Sequence, residues 1–383
     1  MNMNKRENNL ESVFQNQFPA SIVYAPNYWQ WFAHHKNHGT LPDEIKHCNT
    51  QLDLIQYLGL DIFSRNIYCK QDEYWFGGIC EEVFDGILIE KKTKLENGDI
   101  VTDKEYQLKS GNLSEQLKYV FSESTIIQKK HLITDYATQL DLLEEFVAAR
   151  SWKFNQQKFE KIQNEVGKNG IVVVGDFFSP LKLLHLTIDP VQTVYFLMDQ
   201  PEEALRILEI HEKAQLEIIE ECVKNGVRAV MAMDNLDAMF HPPMYVEQYS
   251  ASFYKKASEI CHAYGAKFFI HACGNQKDNL ELISSLGVDG LEGVAFPSLG
   301  DVELDEAMQL TSDNFIITGG ISAMEFKNLT TKEEVFEYVK KLFEKMKLYK
   351  NRFILAASCN TPYNAKWETI KYFRDAWLEY KDC

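Results

Sequence analysis

No stretch of this sequence is apolar for long enough to cross a membrane; the apolar runs, such as residues 171–174, are the length of a strand. The first ten residues are polar and lack the apolar core of a secretory signal. Both absences lead to the expectation of a soluble, cytoplasmic protein. Positive charge is scarce: 40 Lys and Arg face 56 Asp and Glu, for a formal net charge of −16. This excludes a polyanion such as nucleic acid as the principal ligand and leaves room only for a local basic pocket. Low-complexity tracts and internal repeats are missing, and 45% apolar with 25% charged residues is ordinary globular composition, so disorder is not indicated. No Gly-x-Gly-x-x-Gly follows a first strand, which argues against an open dinucleotide-binding sheet.

Eight cysteines are present, at positions 48, 69, 80, 222, 261, 273, 359 and 383. Scattered over a chain without a secretory signal, they read as reduced thiols. Most behave as small buried apolar residues, Cys222 and Cys261 within helical patterns among them.

From about residue 171 onward, strand-like and helix-like segments alternate. Residues 171–175, 228–233, 267–271, 288–292, 315–318 and 353–356 are short and mostly apolar, as buried parallel strands are. Between them lie amphipathic stretches, clearest at 201–225. There Pro201, Glu202 and Glu203 suit a first turn, Leu205, Leu208, Leu216, Ile219 and Val223 recur at helical spacing, and Gly226 follows the end. Residues 245–264, 276–286, 332–348 and 365–380 read alike. Repeated strand–helix units predict a parallel α/β sheet. Residues 21–24 and 60–63, with helix-like sequence at 29–38 and 50–57, complete eight strands, so the expected fold is a (β/α)8 TIM-type barrel with an N-terminal helical segment, one domain over 1–383. An insert at about 72–166 interrupts it. Strand-like runs at 86–92 and 101–108 flank Asn97-Gly98, which predicts an antiparallel β-hairpin followed by a helical stretch.

The chemistry-bearing residues fall at strand ends. Residues 267–270 deliver His271-Ala272-Cys273-Gly274, and residues 353–356 deliver Ser358-Cys359-Asn360. Barrel enzymes place catalysis on that face. One His and two Cys suit zinc, and three protein ligands leave a fourth position for water, substrate or a displaceable carboxylate. His271 would end the fifth strand and Cys359 follow the eighth, so a shared metal has to lie over the barrel axis. Taken alone, a His-x-Cys at a strand end also reads as a hydrogen-bonded rim residue beside a buried thiol. Asp176 and Asp234, also at strand ends, are candidates to orient substrate or move a proton, and Glu292 is a candidate fourth ligand; each equally reads as a rim or capping residue. His34 and His38 are read as pocket-wall or surface residues, and Trp29 and Trp31 as either pocket lining or core.

The segments Gly175-Asp176-Phe177-Phe178-Ser179-Pro180, Met233-Asp234-Asn235, His271-Ala272-Cys273-Gly274, Thr318-Gly319-Gly320-Ile321, Ser358-Cys359-Asn360-Thr361-Pro362 and Glu368-Thr369-Ile370 together resemble the uroporphyrinogen decarboxylase superfamily, in particular its zinc-dependent corrinoid-linked methyltransferases. The resemblance implies that His271, Cys273 and Cys359 are zinc ligands. It also implies a methyl group moving between a corrinoid, supplied by a partner protein, and a thiol or another small-molecule donor or acceptor. The decarboxylase branch carries an arginine-rich N-terminal segment suited to a porphyrinogen's carboxylates. Residues 27–35 here contain no Arg. Tetrapyrrole decarboxylation is therefore the alternative reading, and a non-catalytic binding barrel the third.

Overall fold

The computed structural model describes residues 4–65, 67, 78–297 and 299–382. Its centre is a seven-stranded, all-parallel sheet of β1 (Val23–Tyr24), β8 (Val173–Phe177), β9 (Ala229–Leu236), β10 (Lys267–Ala272), β11 (Gly290–Val294), β12 (Ile316–Ile321) and β13 (Phe353–Ala357), where β2 to β7 belong to the insert. The strand order runs β1, β13, β12, β11, β10, β9, β8. Helices follow the strands in sequence, the repeated grammar of a TIM-type barrel.

The strand expected at 60–63 is reduced to a single bridge between Ile62 and Gly170. Its backbone nevertheless joins the two edges of the sheet: Asp61 N–H donates to Tyr24 O, Ile62 N–H to Asn169 O, and Ile171 N–H to Ile62 O. One or two residues suffice because each faces a different neighbour.

Side-chain alternation sorts the strands into two layers. Val23, Phe63, Val173, Ala229, Met231, Phe269, Ile316 and Ile354 meet in the interior, while Tyr24, Val174, Val230, Phe268, Ile270, Ile317 and Leu355 pack under the helices. The N-terminal helix Asn4–Phe14 adds Leu10, Val13 and Phe14 to the interior cluster, with the Phe14 ring 6.4 Å from that of Phe269. Trp29 and Trp31 belong to the outer core, and His34 stacks on His38 at 4.1 Å.

The insert is larger than the expected hairpin. Strands β3 (Leu88–Glu96) and β4 (Asp99–Gln107) pair antiparallel around Asn97-Gly98 as expected, but β5 (Asn112–Val120) and β6 (Thr125–Lys130) extend them into a four-stranded meander. A separate pair, β2 (Cys80–Phe84) with β7 (Arg150–Phe154), ties the insert's ends together. Helices Tyr136–Ala149 and Gln156–Val166 make up the expected helical stretch, with β7 between them. Tyr106, Leu108 and Leu113 of the meander pack with Leu143, Phe146 and Val147, and through them against Leu181, Leu184 and Phe196 of the barrel's helical layer. The helix expected at 245–264 is two, Pro243–Tyr249 and Ala251–Ala263, because Ser250 leaves helical geometry at φ −127°.

Candidate metal centre

The interior positions of the strands continue upward from the apolar layer into polar residues. His271 is the next inward residue after Phe269, Glu292 after Gly290, and Arg65 after Phe63. Gly175, the inward residue after Val173, leaves the space Arg65 occupies: a Cβ on Gly175 would stand 2.9 Å from Arg65 Cβ. The ladder between β10 and β9 shifts register between Ile270 and Ala272, and that between β11 and β12 between Glu292 and Val294. Such irregularities re-aim side chains at strand ends. Gly293, at φ +100°, permits the second: a Cβ there would lie 2.4 Å from Ala272 O and 3.2 Å from His271 Cε1.

This layer brings together His271, Cys273 and Cys359, the residues singled out from strand-end positions, with one donor atom of each within 4.8 Å of the others. His271 Nε2 lies 3.2 Å from Cys273 Sγ and 3.7 Å from Cys359 Sγ. Tetrahedral zinc with ordinary Zn–S and Zn–N bonds needs nitrogen and sulfur about 3.6 Å apart, so the observed separations bracket the requirement. Glu292 accepts from His271 Nδ1, which fixes the proton on that nitrogen and turns the Nε2 lone pair toward the sulfurs. Glu292 therefore engages the far side of the ring, where it orients the imidazole, and its other oxygen accepts from Arg65 Nη1. Arg65, fully buried, also reaches Cys359 Sγ with Nη2 at 3.6 Å. Arg65 was not singled out in the sequence.

Electrostatics separate the two thiols. The hydrogen bond from Cys273, then the charges of His271 and Arg65, hold Cys359 well below the usual thiol range against the effect of burial. The same hydrogen bond, together with burial, pushes Cys273 well up. Burial and Arg65 oppose protonation of His271, but Glu292 and Cys359 outweigh them and raise its pKa. With both sulfurs ionised, two thiolates and Glu292 outnumber Arg65 by two charges, the deficit a divalent cation fills. The donor set fits zinc.

Asp176 and Asp234 sit at the ends of β8 and β9, buried and already engaged. Asp176 accepts the backbone N–H groups of Ile79 (2.7 Å) and Cys80 (2.9 Å), anchoring the start of the insert to the barrel mouth. Asp234 accepts the Ser179 N–H at 2.8 Å and the Tyr254 hydroxyl. Burial raises its pKa, against the pull of those hydrogen bonds and of Lys182. Neither is in the cluster that can hold a metal.

Comparison with known proteins bears on the family and the fold. The sequence model of the uroporphyrinogen decarboxylase (URO-D) family matches residues 119–380. Among solved structures, a methyltransferase from Methanosarcina mazei superposes with a TM-score of 0.60 at 12% identity, covering 97% of each chain, and shares the fold. A xylanase from Paenibacillus barcinonensis (TM-score 0.29, 13% identity, 42% of this chain and 59% of that one) overlaps only in part. So does a D-psicose 3-epimerase from Clostridium cellulolyticum H10 (TM-score 0.30, 9% identity, 63% and 85%). No curated protein sequence matches significantly. Among the described residues, no helix is long and apolar enough to cross a membrane.

Proposed function

This chain belongs to the uroporphyrinogen decarboxylase family, and from that premise we propose that it is a zinc-dependent methyltransferase, moving a methyl group between a corrinoid carried by a separate protein and a thiol or similar soft group. The observation that carries the reading is the convergence of His271 Nε2 with the sulfurs of Cys273 and Cys359 at the interior of the mouth. Zinc bound there would take the proton's place on a substrate thiol and keep the sulfur nucleophilic at neutral pH.

The chain's own residues supply the rest. Glu292 holds His271 in one tautomer, and Arg65 holds Glu292 and offers an N–H to Cys359, so that the ligands are set before a metal arrives. Asp176 and Asp234 enter as positioning residues, the first tying the insert to the mouth and the second holding Ser179, the N-cap of helix Pro180–Thr187. Their engagement weakens the decarboxylase alternative, in which one of them would have to face pyrrole nitrogens. The methyltransferase M. mazei fold is compatible with the proposal but does not choose among reactions.

The test is methyl transfer from a methylated corrinoid, free or on a candidate carrier protein, to a thiol. Zinc-loaded protein should produce thioether, and chelator-treated protein should not until zinc is restored. Carbon dioxide release from uroporphyrinogen by metal-free protein, undiminished in Cys273→Ala, would overturn the reading in favour of decarboxylation.

A further inference from the structure

Lys182, which feels the charge of the Cys273 sulfur, heads a group of basic side chains that has, among the described residues, no carboxylate in an ion pair with it. Lys182 lies in the first turn of helix Pro180–Thr187, which follows β8; His185 is one turn further on; His241 lies in the loop after β9. The rings of His185 and His241 approach to 5.3 Å between centroids, tilted by 40°. His241 is only 5% exposed, yet both of its ring nitrogens lack a hydrogen-bond partner. Buried imidazole nitrogens are normally paired, so an unpaired ring this deep weakens the fold unless something else occupies the space beside it.

The electrostatics point the same way. Burial, then Lys182 and His131, push His185 down to about 4. Burial, then His185 and Lys182, push His241 down to about 3. Each basic group thus raises the cost of charging the next. Among the described residues no carboxylate lies within ion-pair distance of Lys182; Asp234 and the Cys273 sulfur are near enough to favour its charge, but Asp234 is already held by Ser179 and Tyr254. Burial still leaves Lys182 with a lowered pKa.

We propose that Lys182, His185 and His241 form a subsite for a compact oxyanion, the carboxylate, sulfonate or phosphate group of a small ligand lying across the barrel mouth. Such a group would accept from the Lys182 ammonium and from one N–H of each imidazole, which a neutral ring already offers. On the methyl-transfer reading, the other end of the ligand would reach the sulfur-lined centre, so the subsite would select substrates by their negative charge. The subsite itself needs no metal.

The test uses full-length protein stripped of metal, titrated calorimetrically with acetate, methanesulfonate and inorganic phosphate at constant ionic strength, with histidine ring signals followed by NMR. At least one anion should bind saturably and shift the His241 signal, and Lys182→Met and His241→Phe should each weaken that binding at least tenfold. The anion bound tightest identifies the group. Removing an unpaired, desolvated cation should leave the thermal midpoint of Lys182→Met equal to or above wild type, which separates lost binding from lost folding. Absence of saturable binding by all three anions, or binding unchanged in both variants, would overturn the subsite while leaving the metal assignment untouched.

Discussion

Replacing Arg65 by Met tests whether the layer beneath the candidate metal is held by charge or merely by packing. Arg65 and Glu292 are ion-paired with side chains 0% and 5% exposed. Met preserves much of the aliphatic stem, so little cavity forms beside Gly175 and the main effect is a buried carboxylate that has lost its cation. Breaking a buried pair from one side costs about 3–5 kcal/mol. Glu292 keeps its hydrogen bond from His271, and without Arg65 opposing it the imidazole protonates more readily, so the lower end, about 3 kcal/mol, is expected. Neutralising the survivor in Arg65→Met/Glu292→Gln should recover part of that loss, for a coupling of about 1–3 kcal/mol. Urea unfolding of metal-free protein, followed by tryptophan fluorescence with slopes compared among variants, reads these differences. A loss under about 1 kcal/mol in Arg65→Met, or strict additivity in the double variant, would refute the argument.

Two further substitutions probe the frame of the site. Gly293→Ala would place a Cβ 2.4 Å from Ala272 O and 2.8 Å from Ser358 O at a backbone φ of +100°, so zinc affinity in a chelator competition should fall about tenfold or more. Gly98→Ala, at φ +88° with nothing within 4 Å, should leave zinc affinity unchanged; equal behaviour of the two would refute the steric account. His262→Ala addresses pH: the hydrogen bond to Asp289 raises the His262 pKa in the folded protein, outweighing burial. That contribution is fully present below the unfolded value of about 6.5 and is lost as pH rises through the folded pKa. Thermal midpoints of the variant should therefore lie below wild type at about pH 5.5 and converge with it by about pH 8.5, a modest gap because the imidazole is half exposed. A gap that widens with pH would contradict the sign.

The cluster of His271, Cys273 and Cys359 was legible in the sequence because its side chains stand at the ends of apolar strands, where a barrel presents its interior to substrate. The separation of the fifth strand from the eighth looked like an obstacle; inward alternation after Phe269 brings His271 and Cys273 to the interior, and the chain past the end of β13 brings Cys359 to them. Arg65 was hidden: it lies two residues past the strand expected at 60–63, and its partner Glu292 lies 227 residues away. Lys182, His185 and His241 look like ordinary helix and loop residues until the fold brings them together. In the insert, β5 escaped notice because Glu115 occupies a buried position, held by Lys104 and the Tyr106 hydroxyl, and so disguises the apolar alternation. The break at Ser250 lies within a continuous amphipathic pattern and has no Gly or Pro to mark it.

Metal content after purification without added metal, compared among wild type, Cys273→Ala and Cys359→Ala, bears most directly on the central claim. Donors that converge as His271, Cys273 and Cys359 do should retain about one zinc per wild-type chain, and either substitution should abolish stoichiometric binding while the circular dichroism spectrum stays that of a folded barrel. Wild-type protein that neither retains zinc nor takes it up when offered, or full zinc retention in both variants, would contradict the account.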